Sequence, residues 1–380
     1  LNIDSNFVIR ISSFSFKQMR LVYANAKYHN RTAEGGPAHM RQFIENASAL
    51  GHEIFLWHGI EQHPLTKPVP ESALKRLKLF RTVDVIYYRI EAIPPSGSRV
   101  ILPPHRKLGG NPLIAWEFNT VPEYGRLQGI AEEGVQSCIA ELKRLAAGVD
   151  VAFCVSQSIS DYVQKNLGIR RAITVPNGSD PDLFNPDVPR VARIEKRDGR
   201  LDVVWIGSAN LGWHNFGLLR DAARLIWNSG EGDKIVFHVI GQGMQGMRDT
   251  PPNLNYYGAE EYRHLPHWLA AMDVGLNIYR PGPADYSSPL KVFDYMASGL
   301  TVVSTEQPQV REIMEQLGQT DLLLPNDDPL TLADILRQLA HDRERLARQG
   351  AAGRKLVIDR YNWRRAATDT FAELERLRAK

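Results

Sequence analysis

Cysteine is nearly absent. Cys138 and Cys154 are the only two among 380 residues, and neither stands in a CxxC pair or a Cys/His cluster. That usage argues against a structural zinc and for a reducing compartment. Long apolar runs are missing too, and none approaches the roughly 20 residues that a membrane-spanning helix needs. The first residues lack the basic start, apolar core and small-residue cleavage site of a signal peptide. A cytosolic protein is therefore expected, one able to touch a membrane surface peripherally. Neither sign of charge dominates: the formal net charge is +3, too small for a nucleic-acid binder. What remains is 43% hydrophobic and 23% charged, the balance of a soluble globular chain, and long enough for two domains.

The chain alternates strand and helix. Residues 1–18 have a mixed pattern and read as an extension of uncertain status. Met19 opens a strand over Leu21–Ala26, followed by a loop with Gly35 and Gly36 and a helix from about Ala38 to Leu50. Ile54–Trp57 is the next strand. Strand, Gly loop, helix, strand is the opening of a doubly wound parallel sheet. The Gly pair lets a backbone approach a ligand, though a plain turn explains it as well. Further strands are expected at Val83–Tyr88, Leu113–Asn119, Val151–Val155 and near Ile173, with a helix over Gly129–Ala147. Asn177-Gly178 reads as a turn and the polar, Pro-rich run from Ser179 to Pro189 as a connection, after which the alternation starts afresh at Leu201–Ile206, Ile235–Ile240, Leu254–Tyr257 and Val274–Ile278.

The richest stretch is Tyr286 to Gly299, followed by the apolar run Leu300–Ser304. Ser287 or Ser288 can cap a helix, Pro289 suits its first position and Gly299 its end. Such a start presents unpaired amides and a positive dipole end, which attract phosphate. Lys291 adds a full charge, and Asp294 offers a carboxylate for hydroxyl groups. The plainer alternative is a surface Lys291–Asp294 ion pair at i,i+3. In the first half, Glu117 and Asn119 end a strand where an α/β sheet gathers its ligands; Glu117 paired with Arg89 is the competing reading. The segment Lys67–Lys107 is rich in cations, and its helix Ala73–Arg81 suits anionic lipid heads or a phosphorylated acceptor, or is a solvated basic face.

Several ordered blocks carry a resemblance: Val175–Pro186, Val204–Ser208 with Trp213-His214, Ile240–Gly243, Ser288–Gly299, and Gly353-Arg354 with Tyr361–Trp363. Together with Gly35-Gly36 and Leu50–Glu53, this pattern resembles glycosyltransferase family 4. The resemblance implies an α/β GT-B fold, two Rossmann-like doubly wound parallel-sheet domains facing across a cleft. It implies an acceptor domain at 19–185, a nucleotide-sugar domain at 186–360, and a final helix at 361–380 crossing back. It further implies retaining transfer of a hexose-type sugar from a nucleoside diphosphate sugar to a saccharide or lipid-linked glycan. Such an enzyme serves polysaccharide or glycolipid synthesis at the inner face of a membrane, with no cofactor and no metal.

The residues carried over are Lys291, Asp294 and Glu117 for catalysis, and Arg89 and Asn119 for the acceptor. Donor contacts fall to Gly36, Gly207, Ser208, His214, Gly241, Tyr279, Ser287, Ser288, Pro289 and Leu290. There are departures. Asp294 stands where the family usually has a glutamate, Tyr286 where it often has another, and Ser208, Trp213 and His214 where many members carry an Arg and a Lys. Lys291 then bears more of the diphosphate charge. Two alternatives stay open: an inverting GT-B transferase with Glu117, His29 or His105 as base, and a non-catalytic partner subunit that binds the nucleotide sugar.

Overall fold

The computed structural model describes residues 17–24, 35–57, 60–90, 111–243, 249–282, 285–325 and 327–379. Its strands are β1 Arg20–Ala24, β2 Glu53–Trp57, β3 Lys67–Pro68, β4 Val85–Ile90, β5 Leu113–Phe118, β6 Val151–Cys154 and β7 Ala172–Thr174. After the connection come β8 Leu201–Ser208, β9 Ile235–Gln242, β10 Leu254–Tyr256, β11 Val274–Asn277, β12 Thr301–Thr305 and β13 Leu323–Leu324. The helices are α1 Gly35–Ala49, α2 Ala73–Thr82, α3 Glu132–Ala146, α4 Gln157–Tyr162, α5 Phe216–Asn228 and α6 Leu265–Leu269. They continue as α7 Leu290–Ala297, α8 Pro308–Leu317, α9 Pro329–His341, α10 Arg343–Asp359 and α11 Trp363–Arg378.

Two parallel sheets result. The first has the order β3-β2-β1-β4-β5-β6-β7, the second β10-β9-β8-β11-β12-β13. In each, the strand order reverses beside the first strand, which leaves a crevice at the carboxyl ends of the strands for a ligand. The central strands are near-continuous apolar runs because helices cover both faces, as in Val203, Val204 and Trp205 of β8, each at 0% exposure.

The last helix, α11, leaves the second sheet and packs Phe371, Leu374 and Leu377 into the core beneath β1 and α1. It joins the final turn of one half to the opening of the other.

Several expected boundaries move. The stretch Gly129–Ala147 holds α3 only from Glu132, because Gly129 takes a left-handed conformation (φ 78°) after a 3₁₀ turn over Pro122–Gln128. Helix α8 was not expected from the sequence at all. It starts at Gln307-Pro308 without a side-chain cap, so the usual start signal is missing.

The expected serine cap of α7 is also overturned. Pro289 is the cap residue and no side chain caps the helix. The Ser288 hydroxyl is occupied from elsewhere, accepting the Asn177 backbone N–H at 3.2 Å.

Candidate active site

Two polar clusters lie at the carboxyl ends of the sheets. The first surrounds Glu117. Its strand, β5, runs in register with β4 so that Arg89 stands opposite it. Glu117 is only 1% exposed. Arg89 donates to its Oε1, as does Asn119 Nδ2 at 2.6 Å, while the Tyr23 hydroxyl donates to Oε2 at 2.9 Å. His39 Nε2 lies 3.4 Å from Oε1. Burial alone would push this carboxyl up, but His39 and Arg89 reverse that and hold it down to about 2. A carboxylate so engaged is a poor proton acceptor and has no oxygen to spare for a hydroxyl. Arg89 and Asn119 are thereby occupied in holding Glu117. Of the two readings of Glu117, the ion pair with Arg89 is what the fold builds.

Gly36 belongs to this cluster. A Cβ there would come 3.7 Å from Arg89 Nη2. That is ordinary van der Waals contact, which a Cβ at this position would tolerate.

The second cluster surrounds Lys291. It stands in the first turn of α7, half-buried, with its Nζ 4.9 Å from the Tyr279 ring centroid and 5.3 Å from that of Trp205. Its one hydrogen-bond partner among the described residues is His214 Nε2 at 3.4 Å. The other His214 nitrogen, Nδ1, lies 2.7 Å from the Ser208 carbonyl oxygen and therefore carries the proton. Nε2 is then an acceptor facing the ammonium. Burial and the neighbouring Lys291 lower the imidazole to about 3, and burial lowers the ammonium itself to about 7. Among the described residues no carboxylate pairs with Lys291. It is a cation in an aromatic pocket with no carboxylate beside it among the described residues.

Backbone fit completes the pocket wall. A Cβ on Gly207 would strike the Trp205 ring at 2.8 Å, and one on Gly241 would sit 1.5 Å from the Gly207 carbonyl oxygen. These glycines bring β8 and β9 together beneath His214. Above, Trp213 reaches over to Tyr124 of the first half, ring centroids 4.8 Å apart.

Asp294 does not join Lys291. Its carboxylate accepts the Ser179 hydroxyl at 2.6 Å and the Tyr262 hydroxyl at 3.2 Å. Burial pushes it up to about 7 against those two bonds. The proposed surface ion pair is absent for the same reason: Asp294, 5% exposed, points into the protein. Tyr286 packs edge-on against Tyr162 of the first half. Ser287 is near Gln307, whose Nε2 is 3.5 Å from its hydroxyl. His29 and His105 lie outside the described residues, as do Arg99, Arg106 and Lys107 of the basic segment.

Sequence reasoning missed His39 and Asn177. A faint signal existed for His39, a polar residue on the apolar face of α1. Asn177 reads as a turn former and as part of the Val175–Pro186 block, with no site role attached to it.

Residues 200–342 match the model for glycosyl transferases group 1. That span is the second sheet with its helices, and it contains the Lys291 pocket. A putative teichuronic acid biosynthesis glycosyltransferase, TuaH of Bacillus subtilis, is 26% identical over 190 residues; these make up 46% of this chain and 45% of TuaH. The match thus spans about half of either protein.

Among solved structures, sucrose-phosphate synthase from Thermosynechococcus elongatus aligns with a TM-score of 0.59 at 14% identity, covering 95% of this chain and all of that one. Anabaena HepE, in complex with UDP and glucose, aligns with a TM-score of 0.64 at 13% identity over 94% of this chain and all of HepE. At such identities the likeness establishes the architecture. The chain has the GT-B fold, two parallel-sheet α/β domains.

No helix among the described residues is long and apolar enough to cross a membrane. Among them, too, no group of three or more His, Cys, Asp or Glu side chains is arranged to hold a metal. Both cysteines are buried and unbridged.

Proposed function

We propose that the chain is a retaining glycosyltransferase that moves a hexose-type sugar from a nucleoside diphosphate sugar to a hydroxyl of a saccharide or lipid-linked glycan. The observation that carries this reading is Lys291. A half-buried ammonium with two aromatic rings, a neutral imidazole and no carboxylate among its described neighbours is a receptor for an anion. It sits in the first turn of α7, where the helix dipole and free amides favour phosphate.

The chemistry suits that arrangement. Breaking the anomeric C–O bond leaves negative charge on the diphosphate and positive charge on the sugar. Fixed positive groups at the phosphates lower that barrier more than they stabilise the bound substrate. Lys291 supplies the counter-charge that a divalent ion supplies in other transferases, so a metal-independent reaction is part of the proposal. In retaining transfer the departing phosphate takes the acceptor proton on the same face, and no protein nucleophile is assigned.

Two similar proteins support the class: TuaH is a putative teichuronic acid biosynthesis glycosyltransferase, and HepE was solved with UDP and glucose. A role in cell-surface polysaccharide or glycolipid synthesis follows by analogy, on the cytoplasmic side of a membrane. Helix α2 would supply peripheral contact, since Lys75, Lys78 and Arg81 are exposed and Leu74 is 73% exposed beside them. No nucleic-acid partner is proposed.

An inverting route through Glu117 is disfavoured, because that carboxylate is held near 2 and fully engaged. The non-catalytic alternative draws on Tyr286 and Asp294, both turned to other partners. Incubation of labelled donor sugars with a broad acceptor set separates the two. Transfer with retained anomeric configuration, read by NMR, is expected; donor binding without any transfer would favour the partner-subunit reading.

A further inference from the structure

The segment that leaves the first sheet grips α7 on both sides of Lys291. Asn177 donates its backbone N–H to Ser288 Oγ at 3.2 Å and its Nδ2–H to the Ser288 carbonyl at 2.8 Å. Three residues beyond Lys291, Asp294 accepts the Ser179 hydroxyl at 2.6 Å.

This segment is itself fixed. A Cβ on Gly178 would lie 2.7 Å from the backbone of Asn362 and the carbonyl of Tyr361. Ser179 exchanges backbone bonds with the returning chain, its N–H to Tyr361 at 3.0 Å and its carbonyl accepting from Trp363 at 3.2 Å.

Behind Asn177 stands the first domain. Because Asn177 Nδ2 is committed to a carbonyl, its Oδ1 must accept, so His39 Nδ1, 2.8 Å away, must donate. The opposite ring nitrogen of His39 faces Glu117, which Arg89, Asn119 and Tyr23 hold in place. Glu117, His39, Asn177 and Ser288 are all 9% exposed or less. A buried chain of polar contacts, hydrogen bonds from Ser288 through Asn177 to His39 and a 3.4 Å ion-pair contact from His39 to Glu117, therefore runs from the middle of the first sheet to the residue just before α7. Buried polar chains of this kind fix geometry only while every member is satisfied.

We propose that His39 and Asn177 are positioning residues for the donor site, holding the start of α7, and Lys291 with it, from the opposite domain. Nucleoside diphosphate binding then depends on residues that do not touch the ligand. This rests on the reading of the Lys291 pocket as the donor site. The Glu117 cluster gains a purpose by it: its saturated carboxylate is the fixed end of the chain.

The test is calorimetric titration with UDP, GDP and ADP, using the tightest binder as probe, with the melting temperature of each variant recorded alongside. Lys291→Ala should weaken binding at least tenfold. His39→Ala and Asn177→Ala should each weaken it about three- to tenfold, the range expected of coupling through packed networks. The double variant should bind no worse than Asn177→Ala alone, because both act through one chain. His39→Asn, whose amide N–H can replace Nδ1–H, should restore affinity, which a merely structural loss would not do. Should the alanine variants fail to fold, Asn177→Asp keeps the shape, loses the donor to Ser288 and should weaken binding about tenfold.

Wild-type affinity in His39→Ala and Asn177→Asp, with Lys291→Ala impaired, would overturn the positioning inference and leave the donor site standing. Multiplying losses in the double variant would overturn it as well. Wild-type affinity in Lys291→Ala would remove the donor reading itself, and the inference with it.

Discussion

The two clusters are opposites. At the end of the first sheet, Glu117 has Tyr23, Arg89, Asn119 and His39 around it, and its carboxyl is held down to about 2. At the end of the second, Lys291 has two aromatic rings and a neutral imidazole, and its ammonium is lowered to about 7. One charge is compensated by the protein, and the other has no carboxylate partner among the described residues. A satisfied carboxylate is structural, whereas on the proposed function the Lys291 cation is kept, at some cost to stability, for the anion that binds there.

Breaking the compensated side should give the largest effect. Glu117→Ala strands Arg89 and His39 without their anion, and removal of one partner of a buried pair costs about 3–5 kcal/mol. Urea denaturation measures it; a loss below about 1 kcal/mol would mean the cluster is far wetter than its burial implies.

Lys291→Met should move the opposite way. Removing an uncompensated cation from an aromatic pocket should raise stability by about 1 kcal/mol while donor-nucleotide affinity falls at least tenfold. A drop in stability would show that the fold had already supplied its counter-charge.

Asp294 offers a pH handle. Its folded-state value near 7 exceeds the ordinary carboxylate value of 3.8, so the folded form holds the proton longer. Stability from this group is present below about pH 4 and falls as the pH rises towards 7, by on the order of 4 kcal/mol at most. Asp294→Asn should flatten that slope, read from denaturation midpoints at pH 4 to 7. A slope that persists in the variant would assign it to another group.

Donor binding has its own pH dependence, of opposite origin. A bound diphosphate favours charged Lys291, so binding takes up a proton above about pH 7 and weakens as the pH rises. Calorimetry in buffers of different ionisation enthalpy detects the uptake. The smallest effect concerns α2: neutralising Lys75, Lys78 and Arg81 should reduce co-sedimentation with anionic vesicles by about 1 kcal/mol per charge at most. Equal co-sedimentation would confine the basic face to solvent.

What could be read from the sequence divides along local and distant lines. The helix carrying Lys291, the glycine that ends it and the strand that follows are local patterns of capping and periodicity, and they were legible. Helices α10 and α11 likewise carry local start signals, each capped by a side chain, Asp342 and Asn362. The misses are partnerships across long stretches of chain. Ser288 has the chemistry of a cap, but Asn177, 111 residues away in sequence, takes it first. Asp294 has the spacing to meet Lys291, but Ser179 and Tyr262 reach its carboxylate instead. No local spacing encodes those contacts, because Asn177 and Ser288 stand 111 residues apart in sequence and Ser179 and Asp294 stand 115 apart.

The central claim is that Lys291 is the anion-binding group of a nucleotide-sugar pocket. Titration of wild type and Lys291→Met with UDP, GDP and ADP, in EDTA and in Mg²⁺, tests it most directly. The account predicts one preferred nucleotide, affinity independent of EDTA, and at least a tenfold loss in the variant at undiminished melting temperature. Equal affinity in both proteins, or binding to neither, would contradict it.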